Sequence, residues 1–107
     1  MSNERLNKRL SLHSELELIL GSKNVYFQPP ESIKMRYPAI IYSRDDISTI
    51  KADDLNYLFF DRYQVIIVDP DPDNDYLDTI LCSFKHCSYD RHYVADNLNH
   101  DVFTIYY

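Results

Sequence analysis

Five side chains able to ligate a metal, or to act as nucleophile and base, lie near one another in the chain: Cys82, His86, Cys87, His92 and His100. Structural zinc takes its ligands in tight pairs, commonly two to four residues apart. Four residues, the wide end of that range, separate the two cysteines here, Cys82 falls within an apolar helical repeat, and His92 and His100 fall in separate segments, an extended run and the polar turn after it. That spacing points to free cysteines and surface histidines, and no metal is expected.

A second set is acidic. Asp69, Asp71 and Asp73 hold the first, third and fifth positions of a calcium-loop pattern, where carboxylates supply oxygen ligands. The sixth position should be glycine and is Asn74, and the twelfth should be glutamate and is Ile80. Pro70 and Pro72 stiffen a loop that would have to wrap an ion. A rigid strand-to-helix turn accounts for these residues better than a cation site does. A metal-dependent enzyme built on this loop is the weaker reading.

Nucleophilic catalysis finds no motif either. The chain has one glycine, so neither a G-x-S-x-G elbow nor any glycine-rich phosphate loop can be formed. Its other carboxylates stand mostly in polar segments, where solvation keeps a carboxylate ordinary. The expectation is a protein without catalytic residues and without a cofactor.

These residues must be positioned by a single small domain, residues 1–107. At 12.8 kDa the chain would expose roughly 18,600 Å² unfolded and roughly 6,300 Å² compactly folded, which leaves room for a core without metal or disulfide staples. Eleven Lys and Arg stand against seventeen Asp and Glu, a formal charge of −6 that argues against wrapping nucleic acid by counterion release. Nothing at the start of the sequence reads as a signal peptide, and no apolar run approaches the ~18 residues of a membrane span.

The apolar pattern sets the elements. Leu6, Leu10, Leu12, Leu16, Ile19 and Leu20 recur at helical steps, predicting a helix over 3–20 that Gly21 stops in the left-handed conformation. Short strands follow at 25–27 and 39–42. Residues 43–54 are acidic and polar, with Asp45, Asp46, Asp53 and Asp54, and read as a long loop or an extended hairpin arm outside the core. Residues 57–68 give the strongest strand pattern, and 75–84 a second helix that Asp75 would cap, with Asp78 completing a capping box. Strands at 89–95 and 101–107, joined by a polar turn at 96–100, make a hairpin. The sum is a two-layer α+β fold in the order α-β-β-β-α-β-β, with a mainly antiparallel sheet of about five strands.

Ten tyrosines and five phenylalanines lie mostly on the predicted strands. Tyrosine suits both strands and interfaces, being apolar along its body and polar at its tip. The strand that ends at Tyr107 reads as an unpaired sheet edge. Asp101, Phe103, Ile105 and Tyr107 on that edge, and Asp45, Asp46, Asp53 and Asp54 on the arm, are therefore the candidate subunit-interface residues.

Three blocks carry a family resemblance: Tyr63 to Asp73 (YQVIIVDPDPD), Cys87 to Tyr107 (CSYDRHYVADNLNHDVFTIYY) and Tyr37 to Tyr42 (YPAIIY). They resemble small tail completion or tail terminator proteins from the morphogenesis region of tailed phages. The resemblance implies a virion protein of the tail or neck, assembled in the host cytoplasm. It implies a homo-oligomeric, hexameric ring that caps the tail tube and contacts the tube protein and the head–tail connector. Double-stranded DNA would pass through the lumen without sequence-specific binding, and no membrane is involved. An acidic lumen lined by Asp45, Asp46, Asp53 or Asp54 would repel the phosphates and let the duplex slide. The rival reading is a small phage or bacterial regulatory or inhibitory domain whose tyrosines and acidic loops imitate a nucleic-acid surface.

Overall fold

The computed structural model describes the backbone of residues 3–52 and 56–107, and side chains outside 48–59. Helix α1 (Glu4–Leu20) is followed by strands β1 (Val25–Phe27), β2 (Ala39–Ala52) and β3 (Asn56–Asp69). Helix α2 (Tyr76–Ser83) and strands β4 (Cys87–Ala95) and β5 (Leu98–Tyr106) complete the chain. The α+β class and the order α-β-β-β-α-β-β are those that the sequence pattern implies.

Helix α1 forms where local chemistry dictates. The Asn3 side chain accepts the Leu6 N–H at 3.1 Å, and Glu4 in the first turn meets the positive end of the helix dipole. Gly21 closes the helix at φ 75° and donates its N–H to the Glu17 carbonyl. Leu12, Leu16 and Leu20 form the buried stripe. Helix α2 departs from expectation at its start. Asp75 holds the cap position without a side-chain cap bond, and Asn74 Oδ1 accepts the Tyr76 N–H instead, at 3.1 Å.

The five strands make one sheet in the order β1-β2-β3-β5-β4. Only β1 and β2 run parallel; the β2–β3, β3–β5 and β5–β4 pairs are antiparallel. Side chains alternate across the sheet, so Val25, Ile40, Tyr42, Tyr63, Val65, Ile67, Phe103 and Ile105 share the core with Leu12, Leu16, Ile80 and Phe84 of the helical segments. Burying aliphatic and aromatic side chains of this size contributes about 1.5–3 kcal/mol each. That layer is the main source of stability.

The register changes one expectation. The last strand, read from sequence as a bare edge, is interior: β5 hydrogen-bonds β3 on one side and β4 on the other. The hairpin with β4 was expected; the pairing of the other side of β5 with β3, from Arg62 opposite Tyr106 to Asp69 opposite Asn99, closes the edge. Asp96 and Asn97 take φ 53° and 62°, a primed turn that folds the hairpin back tightly and lays β4 over the outer side of β5. The turn is shorter than the 96–100 segment predicted for it.

Of the two readings of the acidic segment after Tyr42, the extended hairpin arm holds and the loop does not. β2 continues to Ala52 and pairs with β3 down to Ala52 opposite Asn56, with one irregularity between Arg44 and Asp46. β1 accompanies β2 only as far as Tyr42, and β5 accompanies β3 only from Arg62 onward. The remainder is a two-stranded arm. From Asp45 to Ala52 it runs about 26 Å at ~3.3 Å per residue. It accounts for a radius of gyration of 14.9 Å, against about 13 Å for a compact chain of this length. The accessible surface, 7280 Å², likewise exceeds the roughly 6,300 Å² of a compact protein of this mass.

Candidate interaction surfaces

The root of the arm is fixed by charge. Asp61, whose side chain is only 10% exposed, accepts Arg5 Nε at 2.9 Å and lies 3.9 Å from an Arg44 terminal nitrogen. One carboxylate thus ties the first turn of α1 to both strands of the arm. On the neighbouring positions Arg62 Nε donates to Asp45 Oδ1 at 2.8 Å, and its terminal nitrogen stands 3.8 Å from Asp46. Asp45 is the unpaired residue at the irregularity, where an extra residue increases the local twist and re-aims a strand. Asp45 and Asp46 are therefore partly neutralised by Arg62. Asp53 and Asp54 lie outside the described residues.

Beyond this root the arm has no second layer among the described residues. Its ladder runs between β2 and β3 alone, and the N–H and C=O groups on the outer sides of 46–52 and 56–60 have no strand beside them. An isolated two-stranded ribbon is marginal in water, and three strands or a packed face are needed for independent stability. The sequence of the arm adds to this, since Ile47, Ile50, Tyr57, Leu58, Phe59 and Phe60 are residues that gain by burial.

The outer edge of the sheet on the other side is β4. It is exposed over most of its length, with Tyr89 at 43%, Tyr93 at 37% and Val94 at 63% exposure. This edge is blunted. An irregularity separates Tyr89 from Arg91, Thr104 Oγ1 donates to Asp90 at 2.6 Å, and Arg91 and His92 follow at once. Bulges and charges of this kind discourage edge-to-edge pairing. Tyr93 stacks on His100 with centroids 4.6 Å apart and planes 13° from parallel, while the Arg91 guanidinium lies 5.4 Å from the Tyr93 ring centre.

Three of the other expected interface residues lie inside the protomer. Phe103 and Ile105 are fully buried and Asp101 is 3% exposed. The Tyr89 hydroxyl donates to Asp101 Oδ1 at 2.9 Å, and Asp101 Oδ2 has no partner. Tyr107 is half-buried, with its N–H on the Asp61 carbonyl at 3.1 Å and its hydroxyl 2.9 Å from Ser11 Oγ. Burial pushes the Tyr107 phenol up. Because β5 lies between β3 and β4, Asp101, Phe103 and Ile105 hold the fold together and do not form an open edge, while Tyr107 lies one residue past the strand.

The histidines do not converge with the cysteines. Asn99 Nδ2 donates to the carbonyls of Asp69 and Pro70 at 3.2 and 3.1 Å. Its Oδ1 therefore faces His92, whose Nε2 must be the donor across 3.1 Å. His100 Nδ1 donates to the Leu98 carbonyl at 3.0 Å. Cys82 is exposed and Cys87 partly covered, both free. Burial, and then the charge of Asp90, push the Cys87 thiol up. Among the described residues no three of His, Cys, Asp and Glu stand in a metal-holding group.

The acidic turn at the end of β3 forms a hollow lined by Pro38, Asp69, Asp71, Asp73, Asp75 and Tyr76. Its carboxylates act on the backbone: Asp69 Oδ1 accepts the Asp71 N–H and Asp71 Oδ1 accepts the Asp73 N–H, each at 2.9 Å. These are aspartate turns, the local chemistry that competes with regular structure. The residues that sequence reasoning did not single out are Arg5, Arg44 and Asp61, which fix the arm's root and belong to no reactive motif. No helix among the described residues is long and apolar enough to cross a membrane. Comparison with family models, with curated proteins and with solved structures gives no match.

Proposed function

We propose that this chain is a virion structural subunit of the tail terminator or tail completion type, which forms a ring capping a phage tail tube and joining it to the head–tail connector. The observation that carries the reading is the β2–β3 arm: an unlayered ribbon about 26 Å long on a small two-layer body. A ring closes through heterologous contacts, in which one patch of each subunit meets a different patch of the next. An arm that one protomer extends and another covers is such a contact. The block resemblance from Tyr37 to Tyr107 supplies the kind of ring, six-fold and at the head-proximal end of the tail. The arm's root brings Arg62 next to Asp45 and Asp46, so two of the four carboxylates proposed for an acidic lumen are partly neutralised.

The test is tail assembly with and without the chain. Lysates lacking it should hold tails of abnormal length, or tails unable to join heads, and added protein should restore joining. Normal tails joined to heads in its absence would end the reading.

One observation favours a second reading. The exposed carboxylates of Asp71, Asp73 and Asp75 make an acidic rim, as a monomeric inhibitor that imitates DNA would present. Competition with DNA for a host enzyme by a strictly monomeric chain would favour that domain over the ring.

A further inference from the structure

We draw no further inference here: the strongest candidate, the acidic hollow between Pro38 and Tyr76 at the end of β3, carries nothing because its carboxylates are those of the turn already described and no independent group in it points to a ligand, the one unpartnered buried carboxylate oxygen among the described residues, that of Asp101, belonging to the β4–β5 hairpin and not to its lining.

Discussion

At the scale of single residues, burial governs how the two core tyrosines titrate. Tyr42 and Tyr63 are each 1% exposed, and loss of hydration raises both phenols above the ordinary tyrosine value of 10.0. The folded state therefore keeps its phenolic protons at a pH where the unfolded chain has released them. Stability from this source is complete below pH 10 and declines as pH rises above it. Thermal melts between pH 9 and pH 11.5 should show that decline, and Tyr63→Phe should flatten it. A slope unchanged in the variant would remove Tyr63 from the explanation. The two thiols give a second check. Cys82 is exposed, whereas Cys87 is partly covered with its thiol pushed up, and alkylation requires the thiolate. Iodoacetamide at pH 8 should label Cys82 several-fold faster than Cys87, as followed by peptide mass spectrometry. Equal rates would contradict the burial assigned to Cys87.

At the scale of elements, the parts whose causes are local could be read from sequence. Helix α1 falls at its predicted place because Asn3, the leucine stripe and Gly21 all act within a few residues of one another. Gly21 sits at φ 75° with open space around the position of a Cβ. Gly21→Ala should then cost about 1–2 kcal/mol through backbone conformation alone, a fall in melting temperature of roughly 4–8 °C for each kcal/mol. Asn97, at φ 62°, should behave alike: Asn97→Gly is tolerated, and Asn97→Val costs roughly 1–2 kcal/mol because a β-branched residue resists the left-handed region. Urea unfolding of the two variants measures both. What the sequence could not convey was strand order. Whether Asp101–Tyr106 is an edge depends on whether β3 takes the side of β5 that the hairpin leaves open, a long-range pairing that no local pattern fixes. The arm was ambiguous for a related reason. Asp45 and Asp46 break the apolar alternation at the very point where a bulge and Arg62 accommodate them, so the sequence left a loop and a hairpin arm as alternatives where the strand runs on for fourteen residues.

At the scale of the whole molecule, a chain 51 Å long and 27 Å wide combines a closed body with an arm that the body does not cover. The candidate interface residues divide accordingly: Asp101, Phe103 and Ile105 belong to the interior, Tyr107 is half-buried, and Asp45 and Asp46 stand at the arm's root. Asp61 connects the two parts. Removing its carboxylate frees Arg5 and Arg44 together, and Asp61→Ala should lower stability by about 1.5–3 kcal/mol, the usual range for hydrogen bonds to charged groups. It should also loosen the arm's root, with faster amide exchange at 45–47 than in the β3–β5 ladder; protection unchanged at the root would show that the ion pairs do not hold it. The claim that the arm joins protomers is tested most directly by mass. Multi-angle light scattering, with and without isolated tail tubes, should find a closed six-fold assembly for the full chain. A variant with residues 46–60 replaced by a short turn should remain folded by circular dichroism and stay monomeric. A full chain that is monomeric both alone and with tubes, or a shortened chain that still assembles, would contradict the account.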